Sequence, residues 1–142
     1  MVAERVFVDS NIFLDYYFDR KDSIKPLGEF AFQFFNNAVS CKYFLIIPKD
    51  VVFEIKNILN CNESHLQNTV FKELLNAKKI EFIDSSDTQV EEARKISKKF
   101  NIPKTDSLCA VLARDYGAIV VSRDKHFEKL NHITKSFLPE EL

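Results

Sequence analysis

Four carboxylates of this 142-residue chain stand where strands end or helices begin: Asp9, Glu54, Asp106 and Asp124. Asp9 is the clearest. In RVFVDSNIFLD, residues 5–15, the run Val6, Phe7, Val8 has no polar alternation, the pattern of a strand buried on both faces of a parallel sheet, and Asp9 stops it. Ligands of open α/β sheets bind in the crevice beyond the carboxyl ends of the strands, so an acid there is placed for metal or for acid–base work. It is equally placed to cap the helix beginning near Asn11, since Asp, Ser and Asn are favoured caps. What separates the readings is whether other acids reach the same edge. Two unscreened carboxylates ~5 Å apart repel by roughly 3 kcal/mol at an effective dielectric of 20, so four of them need a cation. Hard oxygen donors without Cys or His point to Mg²⁺ or Mn²⁺, and such an ion activates water for attack on a phosphodiester. A remaining carboxylate then orients or deprotonates that water.

The elements that must position these acids alternate along the chain. NIFLDYYFD reads as a helix with Ile12, Phe13, Tyr16 and Tyr17 inward, which puts Asp15 on the helix, away from the strand end. Pro26 opens a second helix, running to about Val39 and crowded with Phe30, Phe32, Phe34 and Phe35. Four rings on one short helix cannot all face one core, which predicts self-association through it. Tyr43 to Ile47 is a second buried strand. Asp50 caps the following helix, whose Val51, Ile55, Ile58 and Leu59 make the apolar stripe and whose early turns carry Glu54. Residues 64–77 form one further helix capped by Ser64, and Ile80 to Ile83 a third strand. Thr88 to Phe100 is amphipathic. Thr105 or Asp106 starts a helix that Gly117 ends, Ala118 to Val121 is another buried strand, and Asp124 closes it much as Asp9 closes the first. An edge strand is expected around 132–134. Strand and helix in alternation imply a three-layer sandwich over residues 1–142 as one domain: a mostly parallel sheet of four to five strands, right-handed crossovers, helices on both faces.

Composition removes several classes. Two glycines leave no Gly-rich phosphate loop, hence neither a dinucleotide fingerprint nor a nucleotide P-loop, and no nucleotide cofactor is expected. No apolar run approaches the ~20 residues of a membrane span and no signal-peptide layout opens the chain, so a cytoplasmic protein without membrane contact is expected. Cys41, Cys61 and Cys109 never pair as C-x-x-C and read as small core hydrophobes; His65, His126 and His132 are scattered and read as exposed or capping. The net charge of −1 conceals an asymmetry: residues 1–93 hold 10 Lys/Arg against 15 Asp/Glu, residues 94–135 hold 10 against 4. A basic segment of this kind suits phosphate backbones or simply solvated helix faces.

Three blocks, VFVDSNIFLD, IIPKDVVFEIKNIL and KTDSLCAVLARDYGAIVVSRDKHF, resemble the acidic motifs of the PIN-domain nucleases in order and separation, and the resemblance covers essentially the whole chain. Size and the lack of appended domains look most like the VapC-type toxins of toxin–antitoxin pairs. The resemblance implies Asp9 and Asp106 as principal Mg²⁺ ligands, Glu54 and Asp124 as the remaining members of the quartet with Asp124 also near the metal, Asn11 as support of the first aspartate, and Ser122 as the hydroxyl preceding the last motif. Lys104 and Thr105 before Asp106, and Phe53 before Glu54 where smaller residues are common, depart mildly from the pattern. The implied activity is that of a Mg²⁺-dependent (or Mn²⁺-dependent) endoribonuclease, usually homodimeric and usually inhibited by a small antitoxin. Two other readings stand beside it. A haloacid-dehalogenase-like phosphatase also opens with an Asp after a buried strand, but needs a second acid where Asn11 stands. The second is a catalytically weak PIN-like module that binds RNA or a partner protein, or an RNA-processing factor within a larger assembly.

Overall fold

The computed structural model describes residues 3–40 and 42–142. Val6, Phe7 and Val8 are fully buried, as a run without polar alternation requires, and they form the end of strand β1 (Glu4–Val8) at the centre of the sheet. Strand β2 (Tyr43–Pro48) pairs with β1 on one side, with Val6 opposite Leu45, and β3 (Ile80–Ile83) lies beyond it. The chain then crosses to the other side, where β4 (Ile119–Val121) pairs with β1, Val6 opposite Ile119, and β5 (Ser136–Phe137) follows. Among the described residues this gives five strands, all parallel, in the order β3-β2-β1-β4-β5. Strand order reverses between β1 and β4, and a crevice opens at the carboxyl ends of strands on either side of such a reversal.

The two faces of the sheet are apolar in register, and each is covered by helices. Val6, Val8, Leu45 and Ile47 point to the face packed by α1 (Ser10–Phe18), α2 (Leu27–Val39), α3 (Lys49–Leu59), α4 (Glu63–Asn68) and α5 (Lys72–Asn76). Phe7, Ile46 and Val120 point to the other, beneath α6 (Asp87–Phe100), α7 (Lys104–Asp115) and a 3₁₀ turn at Lys125–Leu130 that contributes Phe127 and Leu130. This period-two division of neighbouring residues between two cores produces the three layers.

Local chemistry moves several boundaries. The helix bearing Glu54 begins at Lys49 behind Pro48, so Asp50 lies in its first turn and makes no capping hydrogen bond. Residues 64–77 are two short helices: Asn62, not Ser64, caps α4 by accepting from the His65 amide at 2.8 Å, and Thr69 ends it with its hydroxyl donated to the His65 carbonyl at 2.7 Å. That local bond competes with continued helix. Residues 131–133 form turns, with the amides of Ile133 and Thr134 donating to the Leu130 carbonyl, so the edge strand forms at β5 instead of at 132–134. On α2, Phe34 and Phe35 enter the core while Phe32, 47% exposed, stacks on Tyr16, and Phe30 lies beneath the Arg123 guanidinium. Tyr17, expected inward, is half exposed, as is Ile58. Cys109 is buried and Cys61 half-buried; Cys41 lies outside the described residues. Among the described residues no helix is long and apolar enough to cross a membrane.

The two glycines do different work. A Cβ on Gly28 would come within 2.6 Å of Asp19 Cα and 2.9 Å of the Asp15 carbonyl oxygen, because α2 starts against the end of α1. Gly117 has φ +64° in open space at the turn into β4. Gly28→Ala should therefore cost about 1–3 kcal/mol by overpacking backbone, and Gly117→Ala about 1–2 kcal/mol by left-handed strain alone. Urea unfolding of the two variants measures both, and a neutral Gly28→Ala would disprove the close approach.

Candidate functional site

Asp9 ends β1 and begins α1, and both oxygens of its carboxylate are held. One accepts from the Ser10 amide at 2.8 Å, the other from the Ser122 hydroxyl at 2.8 Å. Ser122 follows β4 across the reversal of strand order, and it is a hub: its oxygen also accepts from Asn11 Nδ2 at 3.3 Å and from the Asp124 amide at 3.0 Å. Asn11 in turn accepts from the Arg123 amide at 3.4 Å. The ends of the two central strands are thus laced together through the buried Ser122 hydroxyl and the Arg123–Asn11 bond. Glu54 arrives from α3 and accepts from the Ser10 hydroxyl at 2.9 Å. Asp106, in the first turn of α7 and only 8% exposed, lines the same small cleft as Asp9, Glu54 and Asp50, with Pro48, Val51, Thr105, Leu108 and the buried Cys109. Three of the four acids singled out in the sequence therefore line one cleft, together with Asp50, whose position suggested only a cap, and Asp124 stands beside it, its amide on Ser122.

His126 is the residue that sequence reading passed over. Its Nδ1 lies 2.9 Å from Asp106 Oδ2 and 2.8 Å from Asp124 Oδ1, while its backbone amide donates to Asp124 at 3.0 Å. The signal was the capping geometry of Asp124, which turns the chain so that the side chain two residues on comes back over the carboxylates. Asp106, Asp124 and His126 present donor atoms within 4.8 Å of one another. Asp15, by contrast, stands beside the site. It is 3% exposed and binds Arg123 Nε at 3.0 Å, with Arg20 at 3.7 Å, and Arg123 also grips Glu140. The arginine next to Ser122 and Asp124 is therefore directed away from the acids.

The residues lining the cleft include four carboxylates and no lysine or arginine. Burial pushes the Asp9 carboxyl above its ordinary range, and the nearby Glu54 and Asp124 charges add to this. Asp106 is pushed up to about 7, by burial first and then by the charge of Asp9, while its bond to His126 works the other way. His126 is raised from its usual value by that same bond. Burial raises the Cys109 thiol and keeps it protonated. Buried acids whose proton affinity is raised by burial and by one another's charge are the electrostatic pattern a divalent cation relieves, and the donor set, carboxylates with one imidazole, fits such an ion.

The fold and the edge at which these acids gather agree with a family assignment. The PIN domain family model matches residues 6–133, and the chain belongs to that family. Solved structures share its fold at low identity. A toxin–antitoxin complex from Klebsiella pneumoniae superposes with a TM-score of 0.65 at 13% identity, covering 94% of this chain and 97% of that one. VapBC2 from Rickettsia felis, bound to a DNA fragment from its promoter, gives 0.65 at 16%, with 94% and 98% covered. FitAcB from Neisseria gonorrhoeae gives 0.61 at 16%, with 96% and 99% covered. No curated protein matches by sequence.

The raised carboxyls fix the sign of a pH effect. Asp9, Asp15 and Asp106 bind protons more tightly folded than unfolded, and His126 adds the same sign, so the stability these groups contribute to the metal-free chain is present at low pH and is lost as pH rises from near 4 through about 7. The depressed acids Glu92, Asp115 and Glu140 act oppositely but only below their ordinary range, where they would lose charge. Between pH 5 and 7.5 in EDTA the melting temperature should therefore fall by a few degrees, corresponding to about 1–2 kcal/mol. A flat or rising profile across that window would contradict the buried-acid description.

Proposed function

We propose that the chain is a divalent-metal-dependent endoribonuclease, with Mg²⁺ or Mn²⁺ as its ion, and the toxin of a toxin–antitoxin pair. The observation that carries the nuclease reading is the convergence of Asp9, Glu54 and Asp106 in a cleft with no lysine or arginine among its lining residues, with Asp124 beside it at the reversal of strand order and joined to Asp106 through His126, in a chain of the PIN domain family. In this reading Asp9, Asp106 and Asp124 hold the ion. When bound, it supplies positive charge to the phosphate and makes water a better nucleophile at neutral pH. Ser122 keeps Asp9 turned toward the cleft and ties the Asp124 amide to it; Asn11 keeps Ser122 in place. Glu54, fixed by Ser10, is the carboxylate left to orient or deprotonate the attacking water. RNA as the substrate rests on the family resemblance. The basic excess of residues 94–135 supports it only in part, since Arg94 is paired with Glu91 and Arg114 with Glu92 and Asp115.

The partner follows from two supports. The solved neighbours include a toxin–antitoxin complex, and this chain leaves a groove at the meeting of α1 and α2, lined by Tyr16, Tyr17, Phe32 and Val70 with Thr69, Gly28 and the acids Asp19 and Glu29. Tyr17 and Phe32 are more than 40% exposed there. Such a surface suits an apolar segment of a small antitoxin. A homodimer, in the cytoplasm and built from residues 1–142 as one domain, completes the reading, though burial of Phe34 and Phe35 narrows the apolar face of α2 to Phe32 and its neighbours.

Asp9→Asn and Asp106→Asn should each lower Mg²⁺-dependent cleavage of cellular RNA by more than ~100-fold with the fold retained, because each removes a charged donor at little change of volume. Cleavage at the parental rate by either variant would remove that residue from the site, and no cleavage by the parent with any divalent ion would leave a binding module. Sedimentation at micromolar concentration should give a dimer; a monomer would refute self-association.

A further inference from the structure

Resting on the metal-centre reading above, we propose that His126 is a nitrogen donor to the ion shared by Asp106 and Asp124, so that the site is a mixed nitrogen and oxygen site selective for transition-metal ions over Mg²⁺. The geometry is specific. Nδ1 is 2.9 Å from Asp106 Oδ2 and 2.8 Å from Asp124 Oδ1. Adjacent donors around an octahedral ion with bonds of about 2.1 Å lie ~3 Å apart, so the imidazole nitrogen already stands at the spacing of a neighbouring ligand. The position is built into the fold as well. The His126 amide is fixed on Asp124, and the next residue, Phe127, is 1% exposed in the core under α7. The ring itself is 43% exposed, which leaves it room to turn its lone pair from the carboxylates toward an ion.

The consequence concerns which ion binds. A site of carboxylates and water suits Mg²⁺, whereas an imidazole strengthens binding in the order Mn²⁺ < Co²⁺ < Ni²⁺ and does little for Mg²⁺. His126 would therefore set metal preference without contributing to the anionic charge of the site. The alternative role is that of a hydrogen-bond donor which merely fills the space between two acids and swings away when an ion enters. That role predicts that removing the ring leaves binding unchanged or improves it.

Calorimetric titration of Mg²⁺ and Co²⁺ into the metal-free full chain separates the two, with the visible spectrum of the Co²⁺ form as a second readout. In His126→Gln, and in His126→Ala should the first variant fail to fold, Co²⁺ affinity should fall by ~10-fold or more and the Co²⁺ spectrum should change, while Mg²⁺ affinity changes less than ~3-fold. Unchanged Co²⁺ affinity and spectrum, or equal loss for both ions, overturns the role of His126. Asp106→Asn is the control: it should weaken both ions. If it too leaves both unchanged, the metal-centre reading itself falls, and the assignment of His126 with it.

Discussion

Carboxylates buried against one another at the end of a parallel sheet are the constraint to which this fold answers. Asp9 and Asp106 are each 8% exposed, and Asp9 is close enough to raise Asp106 by its charge. A buried ionised carboxylate is tolerated only with hydrogen bonds or a counter-charge. The chain supplies the first. Ser10 and Ser122 donate to Asp9, and His126 bridges Asp106 and Asp124. It withholds a permanent cation, since Arg123, next in the chain to Ser122, is drawn off by Asp15 and Glu140, and leaves only the titratable imidazole of His126 beside the acids. That diversion keeps the cleft anionic and open to an external cation. Asp15 is thereby explained as the buried partner of an arginine, raised by its own burial and restrained by that pairing.

The geometry follows from topology. Because β1 is central and β4 returns on its other side, the loop after β4 meets the loop after β1, and the Ser122 hydroxyl and the Arg123 amide join it to Asp9 and Asn11. The helices that follow β1 and β2, and α7, bring their first turns to the same edge and carry Glu54, Asp50 and Asp106 with them. Parallel strands with intervening helices force this coincidence of strand ends and helix starts. A doubled polar feature at that edge is therefore a consequence of the fold, and acid identity at each position is what gives the edge a chemistry.

Much of this was legible in the sequence because the relevant signals are local. The unbroken apolar triplets Val6–Val8 and Ile119–Val121 announce strands buried on both faces, and an acid directly after such a strand is confined to the crevice. Non-local choices escaped. Whether residues 64–77 form one helix or two depended on a side-chain to backbone bond at Thr69, and the edge strand moved because Leu130 captured two amides. His126 was invisible as a ligand since no second His or Cys stands at ligand spacing; its relevance comes only from the turn that Asp124 caps. On α2, the spacing of four phenylalanines showed that some must face outward but not which, and the structure leaves Phe32 outside.

Asp106 is, in this reading, a carboxylate destabilised in the folded chain until a divalent ion joins it. The melting temperature of Asp106→Asn against the parent at pH 8, in EDTA and in excess Mg²⁺, measures this directly. The variant should melt higher in EDTA by about 2–6 °C, corresponding to ~1 kcal/mol after solvent and salt weaken the repulsion, and Mg²⁺ should raise the parent but not the variant. A variant that melts lower than the parent in EDTA would make Asp106 a structural acceptor for His126, and the anionic cleft would no longer require a cation.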